Sequence, residues 1–85
     1  VGLELVYFAW VRERIGHGSE TVHPPADVVT VAGLIDWLAA GSAVHAAAFI
    51  DRTRLRAAVD QTFVGLDASV IGAREVAIFP PVTGG

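Results

Sequence analysis

Leu3-Glu4-Leu5-Val6-Tyr7-Phe8-Ala9-Trp10 runs apolar and aromatic between Gly2 and the charged stretch Arg12-Glu13-Arg14, the pattern of a strand inside a sheet. Side chains alternate along a strand, so Leu3, Leu5 and Tyr7 face one way and Glu4, Val6, Phe8 and Trp10 the other. Both faces are apolar toward the end of the run, which predicts that each is covered there. Residues 11–15 predict a helical turn stopped by Gly16, and residues 19–23 a second strand pairing back on the first. Pro24-Pro25 ends it.

Further on, Thr30 predicts a helix N-cap. Val31, Leu34, Ile35 and Leu38 follow at the spacing of a core-facing stripe, and Gly41 is placed to terminate the helix. Gly33 weakens this helix by about 1 kcal/mol relative to alanine, so packing must hold it. Residues 43–50, rich in alanine, read as a short helix or an ordered loop. Residues 55–60 alternate again, with Leu55, Ala57 and Val59 inward and Arg56, Ala58 and Asp60 outward, and Gln61-Thr62 turns the chain into Phe63-Val64. A connecting turn over 67–72 leads to a last strand over 75–79, stopped by Pro80-Pro81, which cannot donate ladder hydrogen bonds. No internal repeat is present. The order strand, strand, helix, short strands, final strand predicts an α+β β-grasp fold: a mixed sheet of four to five strands with one main helix across one face.

Eighty-five residues build one domain. A hydrophobic content of 53% and a mean hydropathy of +0.54 exceed what a soluble monomer of this size needs, so part of the apolar surface is expected to face a partner. No run approaches the roughly 18 apolar residues that span a bilayer, and no signal-peptide layout is seen, so the expectation is a cytoplasmic protein without a membrane partner. Cysteine is absent, which removes disulfides, a thiolate nucleophile and thiolate metal ligands. The net charge of −3 argues against nucleic acid and predicts a basic partner surface. All six basic residues are arginine, so no lysine is offered to another protein's carboxylate.

The segment Phe79-Pro80-Pro81-Val82-Thr83-Gly84-Gly85 divides the sequence into a domain over 1–81 and an extended functional tail over 82–85. A strand and a diproline launch Val82 to Gly85 outward by on the order of 10 to 14 Å. Two glycines give the narrowest cross-section and leave the Gly85 carboxyl carbon unscreened by a Cβ, which suits a carboxylate activated inside an enclosed site. A carboxylate is a poor electrophile. It needs ATP to become an acyl-adenylate, from which a persulfide can displace AMP to leave a thiocarboxylate. The chain has neither a phosphate-binding loop nor a cysteine, so the adenylating enzyme and the sulfur donor must be separate proteins. An incidental glycine end is the alternative reading, and the strand, diproline and Val-Thr ahead of it argue against that.

This tail, together with Leu5-Val6-Tyr7-Phe8-Ala9, Val11-Arg12-Glu13 and Ala57-Ala58-Val59-Asp60-Gln61, resembles the small subunits of molybdopterin synthase, ubiquitin-like sulfur carriers of the MoaD/ThiS family. The similarity covers nearly the whole chain and is weakest over 41–54. It implies a ubiquitin-like β-grasp fold. It also implies that an adenylyltransferase related to ubiquitin-activating enzymes uses ATP on Gly85, that a sulfur donor protein makes the thiocarboxylate, and that no cofactor is bound. The sulfur then passes to cyclic pyranopterin monophosphate held by a large catalytic subunit, and two deliveries complete the dithiolene. The small subunit donates sulfur without being catalytic itself, and two small and two large subunits form the heterotetramer. Two departures stand out: Asp60 where Asn is usual, and Ala73-Arg74 ahead of Glu75.

In this fold the first and last strands are parallel neighbours, which brings Phe8 and Phe79 together on the outer sheet face, with Phe63 beside them. The resemblance implies that these three positions meet the large subunit, and that Pro80, Pro81, Val82, Thr83 and Gly84 carry Gly85 into its active site. His17, His23 and His45 lie in separate segments without ligand spacing, and the acidic residues are dispersed, so neither a metal site nor an acid-base pair is expected. The Arg12-Glu13-Arg14 and Arg52, Arg54, Arg56 groups read as surface charge, and Trp37 as partly buried packing. Other readings are a sulfur carrier for thiamine or tRNA thiolation, a ubiquitin-like protein modifier, and a plain interaction module.

Overall fold

Five strands form one mixed sheet in the order β2-β1-β5-β3-β4: β1 (Leu3–Tyr7), β2 (Ser19–Val22), β3 (Arg56–Val59), β4 (Thr62–Val64) and β5 (Glu75–Phe79). The computed structural model describes residues 2–81. Strand β1 pairs antiparallel with β2 and parallel with β5, while β3 runs antiparallel to both β5 and β4. Helices α1 (Ala9–Ile15), α2 (Val31–Gly41) and α3 (Ala43–Ala48) all contribute to one core. This is the β-grasp arrangement, with α2 its longest helix.

The core follows from the two periodicities. Leu3, Leu5 and Tyr7 on β1, Leu55 and Ala57 at β3, and Val76 and Ile78 on β5 are buried against Val31, Leu34, Ile35 and Leu38 of α2. Each fully covered Leu, Ile or Val contributes about 1.5 to 3 kcal/mol. Helix α3 adds Ala48 and is followed by buried Phe49, so the alanine-rich stretch is a helix that closes one edge of the core.

Helix α2 starts where expected, with the Thr30 hydroxyl accepting from the Gly33 amide at 3.1 Å. Its remaining first-turn amides are satisfied from across the fold: Val31 donates to the Ala68 carbonyl and Ala32 to the Leu66 carbonyl. The loop ahead of β5 is thereby tied to the helix, which fixes where β5 enters the sheet.

Of the boundaries that differ from the sequence reading, two have a cause elsewhere in the fold. The first strand stops at Tyr7, not Trp10, because its ladder partners end there: the Tyr7 amide donates to Gly18 just ahead of β2, and Tyr7 pairs with Ile78, one residue short of the end of β5. Ala9, at φ 54°, then turns the chain into α1, which buries Val11 and Ile15 and ends on Gly16 at φ 100°. Trp10 therefore packs from a helix and not from the outer sheet face. Gly41 does not cap α2 but is its last residue; Ser42 follows in extended conformation, and its hydroxyl accepts from the His45 amide to start α3. One serine serves both helix ends, so no left-handed glycine is needed.

Candidate functional site

The outer sheet face carries an apolar groove of about 640 Å³. Its floor is Ala58 and Ala77, which stand opposite each other in the β3–β5 register and are 5% and 8% exposed. Phe63 lies across from Ala58 on β4, Phe79 two residues beyond Ala77 on β5, and Phe8 at the end of β1. The Phe79 ring centroid is 5.6 Å from that of Phe63 and 6.5 Å from that of Phe8, the latter edge-on. Pro80 and Pro81 line the same groove, with Gln61 and Ala9 at its border.

Two local rules are broken beside it. Phe8 occupies the N-cap of α1 and supplies no side-chain hydrogen bond, where Ser or Asp would add about 1 kcal/mol. Ala9 holds the left-handed region, which costs a residue with a Cβ about 1 to 2 kcal/mol. Both exceptions set an aromatic ring at the groove, and such departures concentrate where a fold serves a function. Phe8 is 50% and Phe63 78% exposed. An exposed aromatic cluster above small, covered alanines is a surface shaped to be filled by apolar side chains.

The fold thus brings Phe8, Phe63, Phe79, Pro80 and Pro81 together. Val82, Thr83, Gly84 and Gly85 lie outside the described residues. The alanine floor was readable in part, since Ala58 falls on the outward phase of its strand. Gln61 and Ala9 gave no signal, because their places depend on backbone with positive φ.

A second cluster escaped sequence reasoning. At the β2 edge the Tyr7 hydroxyl donates to Glu20 Oε2 at 2.6 Å, and His45 Nε2 lies 2.7 Å and His17 Nε2 3.5 Å from the same oxygen. Three side chains meet on one carboxylate, two of them, Tyr7 and His45, distant from it in sequence. Burial, followed by the Glu20 hydrogen bond and charge, pushes the Tyr7 hydroxyl far above its usual range. Burial acts to raise Glu20 too, but the hydrogen bonds from Tyr7 and His45 and the nearby histidines outweigh it and hold the carboxyl below its ordinary value. The cluster ties β1, β2 and α3 together. Among the described residues no group of side chains is arranged to hold a metal ion, and no helix is long and apolar enough to cross a membrane.

The sequence profile described as the ThiS family matches residues 5–85. The chain belongs to the ThiS family. Among curated relatives, the molybdopterin synthase sulfur carrier subunit of Escherichia coli is 42% identical over 83 residues, covering 98% of this chain and 99% of that one. The protein of the same name from Mycosarcoma maydis is 37% identical over 87 residues, covering 98% and 92%. The crystal structure of SAMP1 from Haloferax volcanii matches over 100% of both chains with a TM-score of 0.71 at 24% identity, a likeness of fold. In this ThiS-family chain the matched segment takes in every residue that lines the groove.

Proposed function

We propose that this chain is the sulfur-carrier subunit of molybdopterin synthase in molybdenum cofactor biosynthesis, with the Gly85 carboxylate as its working group. The observation that carries this reading is the 42% identity, over 98% of the chain, to a relative bearing that name. ATP converts the carboxylate to an acyl-adenylate with release of pyrophosphate, on an adenylyltransferase of the ubiquitin-activating type. A donor protein's persulfide then displaces AMP to give an acyl disulfide, a second thiol attacks the donor's sulfur to release the thiocarboxylate and leave a disulfide on the donor, and the thiocarboxylate gives its sulfur to cyclic pyranopterin monophosphate in the large subunit. In these steps the small chain acts as the carrier. Its part is to present the terminus. The aromatic groove seats against the large subunit, and Val82, Thr83, Gly84 and Gly85 follow Pro80-Pro81 in sequence to carry the working carboxylate to that subunit.

The test is the intact mass of the protein purified from cells making the cofactor, where exchange of one carboxylate oxygen for sulfur adds about 16 Da. A gain that maps to Gly85 and is lost in cells lacking the adenylyltransferase is expected. Gly85 found instead in isopeptide conjugates would favour the modifier reading. Thiocarboxylate made normally by a Gly85→Val variant would defeat the role given to the narrow terminus.

A further inference from the structure

The guanidinium groups of Arg14 and Arg54 both lie over the indole of Trp10, with Cζ 5.0 and 5.3 Å from the ring centroid. The two arginines come from different elements, the last turn of α1 and a 3-10 turn over Arg52–Arg54. Both are exposed, and among the described residues neither has a carboxylate at ion-pair distance; the one Arg-carboxylate pair there joins Arg52 to Asp36. The ring's electron-rich face offsets part of the repulsion between the converging cations. Their outward donors are left to solvent. A guanidinium presents a planar fork that matches a carboxylate, so two of them over one ring form a receptor for acidic side chains.

The position of the cluster says what such side chains would belong to. Trp10 is two residues past Phe8, and Arg54 two residues before Arg56, whose Cα stands opposite Phe79. The basic cluster therefore sits by the end of β1 and the start of β3, at the end of the sheet where Pro80 and Pro81 leave it, and outside the residues that line the groove. At the other end of the same face Glu4 and Glu75 are register partners on β1 and β5. Along the outer face Glu4 and Glu75 thus stand at one end and Arg56 at the tail end, with the helix-borne cluster beyond it, a separation that the net charge of −3 conceals.

We infer that the Arg14–Trp10–Arg54 cluster docks an acidic segment of the large subunit, which sets the rotational register in which the tail enters the cleft. This rests on the reading that the large subunit covers the groove. An apolar groove holds a partner but tolerates rotation, whereas a charged rim at one end favours a single orientation and steers encounter.

The experiment measures binding of the purified large subunit to the full chain at about 50 mM and about 500 mM salt, where screening lengths differ roughly threefold. The Arg14→Glu/Arg54→Glu double variant is expected to associate about tenfold more slowly than the parent at low salt. The gap should shrink to about twofold at high salt, and dissociation should change less than about threefold. Arg14→Gln/Arg54→Gln removes both charges without reversing them and is expected to show about a threefold slowing with the same salt trend, which carries the test should the charge reversal unfold the chain. Phe63→Ser serves as the control for the groove, with faster dissociation at both salts. Association at the parent rate in both arginine double variants, with Phe63→Ser still weakened, overturns the inference and leaves the groove reading standing. Undiminished binding by Phe63→Ser overturns the groove reading and the inference with it.

Discussion

Ala58 and Ala77 face each other across the β3–β5 pairing and are almost fully covered although they point away from the helices, because Phe63 and Phe79 flank them on the same side. Small residues there keep the groove open. Ala77→Leu is expected to fill part of it, changing folding stability by less than about 1 kcal/mol because the added atoms meet open space. Affinity for the large subunit should fall by about tenfold or more, read by calorimetric titration. Unchanged affinity would mean that the floor does not receive the partner.

The two faces of the sheet are expected to separate stability from docking. Phe49 is 1% exposed in the core and Phe63 is 78% exposed on the outer face. Phe49→Ala should cost about 3 to 5 kcal/mol in urea unfolding. Phe63→Ser should cost under about 0.5 kcal/mol in the same measurement yet lose about 2 kcal/mol of partner binding. Equal losses of stability in the two variants would contradict the assignment of Phe63 to the surface.

Asp60 accounts for one of the departures from the family pattern. Its backbone sits at φ 49°, and its Oδ1 accepts from the amides of Arg74 and Glu75 at 2.9 Å each, locking the β3–β4 turn to the start of β5. Asn can supply the same oxygen and tolerates the same backbone, so Asp60→Asn is expected to stay within about 0.5 kcal/mol of the parent. Asp60→Ala loses both hydrogen bonds and keeps the strain, at a cost of about 2 to 3 kcal/mol in chemical denaturation.

The cluster on Glu20 predicts how stability depends on pH. Glu20 is held below its ordinary 4.5 when folded, so it stabilises the fold above that value, and the contribution is lost as pH falls through the folded value. Tyr7 is raised above its ordinary 10.0, so its contribution is complete below pH 10 and is lost as pH rises further. Urea midpoints across this range should fall at both ends. Glu20→Gln should flatten the acid limb, and Tyr7→Phe the alkaline one. An acid limb as steep in Glu20→Gln as in the parent would assign that loss to other carboxylates.

Much of the fold was legible because its elements carry their own periodicity. The stripe from Val31 to Leu38, the capping Thr30, the alternation along β3 and the diproline after Phe79 each follow from nearest neighbours in sequence. The end of β1 was not legible. Residues 8–10 are as strand-like as those before them, and what stops the strand is the end of β2 and β5 beside it, a property of other segments. The same holds for Ser42, whose hydroxyl can start a helix only because α3 turns back over the core.

For the site, the sequence by itself determined the apolar surplus, the absence of cysteine and lysine, and the strand, diproline and Val-Thr-Gly-Gly order of the last residues. Those are covalent facts and need no fold. The tertiary structure alone decided that Phe8, Phe63 and Phe79 share one groove over two alanines, that Arg14 and Arg54 meet on Trp10, and that Tyr7, His17 and His45 converge on Glu20. Each of these joins residues from different strands or helices, and their distances are set by sheet register and helix packing, which no local stretch of sequence encodes.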